Sequence, residues 1–267
     1  MDARVLEHDR SGEGEPPYVL FPGGLTGWAS WLPLLPALSA ERGVVRLQPI
    51  CNAEGLAGKP GDPTYDADVE RESIGLTLAA AGVEEMHLVG WSNGGRIALD
   101  YALAHPESIR TLTLIEPAAY WLVTDSDETA ASFHEYLLTC AGRELSDEDL
   151  REFLVRVGLG APDTDFAALP QWGFWSSCRQ ALSWGGEKVT DSAAAGIEGF
   201  ERLDVPTLLL RGRSTAAWLT AVVDLLAAGM PDARVVELDG GHACILESAE
   251  EFLAALSAHA EGAPHPG

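Results

Sequence analysis

The stretch MHLVGWSNGGRIALDYALAHP, residues 86–106, sets a single hydroxyl, Ser92, at an abrupt corner of the chain. The apolar run 86–90 before it reads as a buried strand. After it, 93–105 carries apolar residues at helical spacing until Pro106 stops the pattern. Almost no loop separates the two. A corner that tight strains the backbone, and such strain concentrates at functional sites. Gly90-Trp91-Ser92-Asn93-Gly94 matches G-x-S-x-G, a weak pattern alone but a specific one where it joins a strand directly to a helix. The glycines leave room for the corner, and a helix amino end favours negative charge forming beside the serine. The competing reading makes Ser92 an ordinary helix N-cap.

Further apolar runs flank this one: YVLF (18–21), VVRLQ (44–48), TLTLIE (111–116), TLLLR (207–211) and RVVEL (234–238). Helix-length segments at 65–81, 93–105, 216–229 and 247–260 alternate with them. Strands apolar on both faces, alternating with helices, predict an α/β fold: a mostly parallel, doubly wound sheet covered by helices. The opening ARVLEHD adds a candidate antiparallel edge strand. From Ala118 to about Arg202 no strand pattern occurs, only helical ones such as TAASFHEYLLTC and DEDLREFLVRVG. We therefore expect a core from 1–117 and 203–267, interrupted by a helical cap over 118–202. The cap holds QWGFWSSCRQALSW, whose Trp172, Phe174, Trp175 and Trp184 are candidates to line a pocket, with Trp91 and Leu25 from the core. The tail EGAPHPG reads as disordered.

The chain carries 41 acidic against 17 basic residues, a net charge of −24, and only two of the basic residues, Lys59 and Lys188, are lysines. Nucleic acid and anionic membrane both demand clustered positive charge, so neither is expected as a partner. The charged start MDARVLEHDR and the lack of a long apolar run point to a cytoplasmic protein. Cys51, Cys140, Cys178 and Cys244 are scattered without metal-like spacing and read as reduced thiols.

A serine hydroxyl attacks only when a base takes its proton. Of seven histidines, His87 lies inside a strand, His105 ends a helix and His134 falls in the cap, while His8, His259 and His265 lie near the termini. Only His242 occupies a loop just past a late strand, in VVELDGGHACILES. That is the carboxyl edge, where parallel sheets build their sites.

With Ser92 and His242 in place, the chain resembles the α/β-hydrolase fold superfamily over nearly its whole length. VLFPGGLTGWASW resembles the family's oxyanion loop, LVGWSNGG its nucleophile elbow, and LDGGHACILESAEEF its histidine loop and last helix. The resemblance implies an oxyanion hole from the N–H groups of Asn93 and Gly24. It also exposes two departures. Pro22 stands where the family usually has histidine, so the loop's anchoring bonds are expected to differ. The family's usual slot for the acid, after the next-to-last strand, reads LLLRGRSTAAWL, with no Asp or Glu between Val205 and Val223. Glu116, at the end of TLTLIE, is the favoured acid, because some members of the family carry it there. Pro117 should hold Glu116 extended at the sheet edge. The alternatives are a Ser–His dyad or a cap carboxylate such as Asp125.

The expected activity is hydrolysis of small apolar or aromatic esters, thioesters or lactones through an acyl-enzyme at Ser92, without metal or organic cofactor. Carbon–carbon bond hydrolysis, a lyase or cyclase step, and a ligand-binding receptor are the rival readings, since one fold serves many functions. The expected partner is a small-molecule substrate; oligomeric state is left open.

Overall fold

The computed structural model describes residues 1–262; residues 263–267, including His265 and most of the tail read as disordered, lie outside the described residues. Seven strands form one sheet: β1 (Glu7–Ser11), β2 (Tyr18–Phe21), β3 (Val44–Gln48), β4 (Met86–Trp91), β5 (Ile109–Ile115), β6 (Thr207–Gly212) and β7 (Ala233–Leu238). Eleven α-helices accompany them: α1 (Leu35–Glu41), α2 (Ile50–Leu56), α3 (Ala67–Ala80), α4 (Asn93–Ala104), α5 (Glu128–Cys140), α6 (Asp147–Arg156), α7 (Trp172–Cys178), α8 (Glu187–Ile197), α9 (Ala217–Gly229), α10 (Cys244–Glu247) and α11 (Ala249–Ala260). The strand order is β1-β3-β2-β4-β5-β6-β7, parallel throughout except for the antiparallel edge pair β1–β3. No helix among the described residues is long and apolar enough to cross a membrane.

The inner strands read as unbroken apolar runs because both sheet faces are covered. Successive residues point to opposite faces, and the packing follows that alternation. Val19 and Phe21 enter one core with Ile74 of α3 and Leu99 of α4. Tyr18 and Leu20 enter the other with Leu38 of α1 and Phe252 of α11. One expectation fails. RVVEL was expected to be buried on both faces, but β7 is the edge strand with Arg234, Val235 and Glu237 exposed, and half of it faces solvent. The edge strand at the other margin begins at Glu7, later than ARVLEHD suggested, where pairing with Gln48 starts.

The segment between β5 and β6 contains α5 to α8 and no strand. Because the inner strands run parallel, the residues that follow β4, β5, β6 and β7 emerge on one edge of the sheet, beneath that helical insertion.

Two glycines set the β4–α4 corner by close approach. A Cβ on Gly90 would lie 2.3 Å from the Gly94 carbonyl oxygen, and one on Gly94 would lie 2.4 Å from the oxygens of Phe21 and Pro22. The obstacles are backbone and cannot step aside. Gly90→Ala should therefore destabilise the protein by about 2–3 kcal/mol or more in urea unfolding. Gly75→Ala, inside α3 with nothing near its Cβ position, should stabilise it by about 0.5–1 kcal/mol. Equal effects at the two positions would refute this account of the corner.

Candidate active site

Ser92 adopts φ 55° and ψ −116°, a conformation costing on the order of 1–3 kcal/mol for a residue with a Cβ. Three backbone bonds hold it there. Its N–H donates to Ile115 O (2.8 Å), and its carbonyl accepts from Arg96 N–H (3.1 Å) and Ala118 N–H (2.9 Å). The hydroxyl makes no capping bond to α4, which removes the N-cap reading. It lies 3.0 Å from His242 Nε2 instead.

His242 follows β7 in a loop fastened to its neighbours. Ser214 N–H donates to Gly240 O (2.9 Å), Gly241 N–H to Glu247 Oε2 (2.8 Å), and Trp91 Nε1–H to His242 O (3.1 Å). The imidazole is buried, and its Nδ1 lies 2.5 Å from Glu116 Oε2. Glu116 is fully buried. Its carboxylate also accepts Gly212 N–H (2.7 Å) and the Thr215 hydroxyl (2.9 Å). A carboxylate can only accept, so Nδ1 carries the proton and Nε2 is left to accept from the serine. Asp125, the cap alternative, is exposed.

Glu116 departs from the expected backbone. It was expected extended before Pro117, yet its φ is +43°. The reason lies in its ties. Its N–H still donates to Leu210 O (2.9 Å) in line with the β5–β6 ladder, while two residues on Ala118 N–H must reach Ser92 O. Only a sharp exit from the sheet meets both demands.

Asn93 opens α4, so its N–H is among the unpaired donors of a helix start. A Cβ on Gly24 would come within 3.2 Å of Asn93 Cβ; the two candidate oxyanion residues are neighbours. The loop carrying Gly24 is anchored by Asn52 of α2, whose Nδ2 donates to Gly24 O (2.8 Å) and Gly23 O (3.3 Å). That is the replacement for the histidine that Pro22 displaces, and nothing in the local sequence pattern announces it.

Ser92, Asn93 and Gly24 border a narrow cavity of about 90 Å³. The insertion and α9 roof it with Phe133, Phe153, Trp184 and Trp218. Of the aromatics named from sequence, Trp184 borders it. Trp91, Leu25, Trp172, Phe174 and Trp175 do not line this cavity. Trp91 packs on Trp31 in the opposite core, and Leu25 is buried in the main one. Trp172 lies against Phe166 under the Arg151 guanidinium, Trp175 packs on the core edge, and Phe174 is half exposed. Sequence reading missed Tyr120, Trp121, Phe133 and Trp218. Tyr120 and Trp121 stand just past Glu116-Pro117, a position that could have marked them.

Cys51 also borders the cavity, with its sulfur 3.6 Å from Asn93 Nδ2. Burial, reinforced by the Glu70 carboxylate, pushes its thiol up to about 12, so it stays protonated and unreactive.

With this geometry in hand, comparison with known proteins is direct. The model of the alpha/beta hydrolase fold matches residues 16–249. The chain belongs to this family. A protein of Azorhizobium caulinodans whose name proposes carbamate hydrolysis, RutD, is 29% identical over 247 residues, 89% of this chain and 88% of the relative. A pimeloyl-[acyl-carrier protein] methyl ester esterase of Chromobacterium violaceum is 27% identical over 213 residues, 78% of this chain and 81% of the relative. A meta-cleavage product hydrolase of Pseudomonas fluorescens IP01 shares the fold, with a TM-score of 0.71 at 21% identity over 96% of this chain and 94% of that one. The protein is a hydrolase of the α/β fold.

Two measurements check the cavity's composition. At pH 8 a thiol of pKa about 12 is ionised about once in 10⁴. With all four cysteines buried, a chromogenic disulfide should find no reactive thiol in the native protein and four after unfolding in guanidinium. Trp184→Ala should raise KM for a bulky acyl substrate by roughly 10-fold, as for a lost buried aromatic contact. Phe174→Ala should leave KM unchanged, and a rise there equal to that of Trp184→Ala would contradict the assignment.

Proposed function

We propose that the protein is a serine hydrolase that forms an acyl-enzyme at Ser92 on a small ester, thioester or lactone and releases it to water. One observation carries this reading: the unbroken relay from Glu116 Oε2 to His242 Nδ1 (2.5 Å) and from His242 Nε2 to Ser92 Oγ (3.0 Å), opening into the cavity. The serine oxygen attacks the substrate carbonyl while its proton passes to His242 Nε2. Glu116 holds the ring in the correct tautomer and stabilises the imidazolium. The negative charge on the former carbonyl oxygen meets the N–H groups of Asn93 and Gly24, each worth about 3 kcal/mol. Collapse expels the leaving group with the proton from Nε2. Water then repeats the cycle on the acyl-enzyme.

The aromatic roof of the cavity suits an apolar acyl part. Among the relatives, a methyl ester esterase acts, by its name, on an ester with a small leaving group.

A fluorophosphonate probe should label Ser92 promptly. Ser92→Ala and His242→Ala should each lower kcat by about 10⁴ or more, with no larger loss in the double variant, because the pair acts as a unit. Glu116→Gln should cost about 10³ to 10⁴, since an amide orients the ring without favouring its charged form. A Ser92→Ala variant retaining a tenth of the activity would overturn covalent catalysis. Ligand binding without labelling or turnover would make the protein a receptor.

A further inference from the structure

Among the described residues, Arg96 is the one basic side chain bordering the cavity, and the chemistry above leaves it idle. It stands four residues after Ser92, one helical turn or about 6 Å along α4. Only 4% of it is exposed. Its Nε donates to Asn93 Oδ1 at 3.0 Å. Among the described residues the guanidinium has no other hydrogen-bond acceptor and no ion-pair partner. The two carboxylates that share its surroundings are committed elsewhere. Glu70 accepts Ile50 N–H (3.0 and 3.1 Å) and the Tyr65 hydroxyl (2.6 Å), and Asp100 is held by Arg71 (2.8 and 2.9 Å).

A guanidinium offers five N–H donors. With one of them bonded to Asn93, the others are free to take an anion at the cavity wall. Orienting Asn93 needs only Nε and leaves the outer fork unexplained. That fork matches a carboxylate in a two-point contact. We propose that Arg96 anchors a carboxylate carried by the substrate, so that the protein acts on a small acyl compound with a second, anionic end. A dianionic phosphate fits less well, because a single cation would leave its second charge unbalanced near the Glu70 carboxylate. The net charge of −24 does not oppose this: exposed charges are screened beyond about 8 Å at physiological salt, and inside the cavity Arg96 is nearer.

The proposal rests on the serine-hydrolase reading for its reaction but not for its binding step, and the test separates the two. The first arm compares kcat/KM on p-nitrophenyl hemiglutarate, which bears a free carboxylate, and p-nitrophenyl pentanoate, which does not. The wild type should favour the hemiglutarate by about 10-fold or more, as for a charge-assisted contact. Arg96→Gln should lose about 30-fold more on the hemiglutarate than on the pentanoate, mostly in KM. Arg96→Lys should recover part of that difference, since it restores the charge without the fork. Equal losses on both esters would mean that Arg96 only positions Asn93, and would overturn the proposal.

The second arm needs no turnover. Ser92→Ala is titrated calorimetrically with monomethyl glutarate and with dimethyl glutarate. Tighter binding of the monoester supports the carboxylate anchor, and equal or weaker binding overturns it even if Arg96→Gln fails to fold. Should neither nitrophenyl ester be turned over in a Ser92-dependent way, the hydrolase reading falls while this titration still decides the role of Arg96.

Discussion

Adjacent strands β4 and β5 end in a mutual clamp on which the rest of the site depends. Ser92 and Glu116 are the two non-glycine residues with positive φ among the described residues, and each lies one position beyond the paired residues Trp91 and Ile115. Ser92 N–H donates to Ile115 O, and Ala118 N–H donates back to Ser92 O. Strain of about 1–3 kcal/mol at each kink is offset in part by the Ala118 N–H bond to Ser92 O, which lies beyond both kinks, forms only if both are made, and is worth about 0.5–1.5 kcal/mol net. Relaxing one corner would strip the other of its partner. Because the two strands are neighbours in register, a hydroxyl and a carboxylate leave the same sheet edge, close enough for one imidazole to touch both.

Most of the sheet was legible because its inner strands are covered on both faces, which writes burial into the sequence as unbroken apolar runs. The edge strand β7 misled for the same reason: RVVEL has an apolar centre, yet Val235 lies on the open side. Ser92 and His242 were read from glycines that tight corners require, and Glu116 from its place at the end of TLTLIE, where the family resemblance puts an acid in some members, once no carboxylate occurred between Val205 and Val223. The cavity wall was not. Whether a tryptophan in a seven-residue helix turns inward depends on what packs against it, and Trp172 is claimed by Phe166 and Arg151. The wall is built by partners distant in sequence, such as Phe133 stacked on Trp218 with ring centroids 4.5 Å apart. Nearness along the chain carries no such information.

Charge behaves differently outside and inside. The surface surplus of acid is spread through solvent and acts weakly on a small ligand. Within the cavity floor, burial dominates: it raises the Glu70 carboxyl above its ordinary range and pushes the Tyr65 hydroxyl well up, with Arg96 countering both. Net charge therefore argues against polyanionic partners and says little about the cavity, where a single buried guanidinium one turn from Ser92 points toward an anionic ligand. The local charge decides, because low dielectric strengthens near interactions that water would screen.

The position of Glu116 shows what this arrangement fixes and what it leaves free. His242 Nδ1 needs an acceptor on the side away from Ser92; it does not matter which strand delivers it. Here the carboxylate arrives from the end of β5, and residues at and just past the end of β6 serve it. Gly212 contributes an N–H and Thr215 a hydroxyl, so the Glu116 carboxylate accepts three bonds in all. A carboxylate fully removed from water is tolerable only with its lone pairs so occupied. A buried carboxylate at the end of β5 thus depends on donors at the end of β6, and Thr215 is a residue type that supplies one. The stretch after β6 is therefore part of the site: the Thr215 hydroxyl orients the Glu116 carboxylate, where a second carboxylate would repel it.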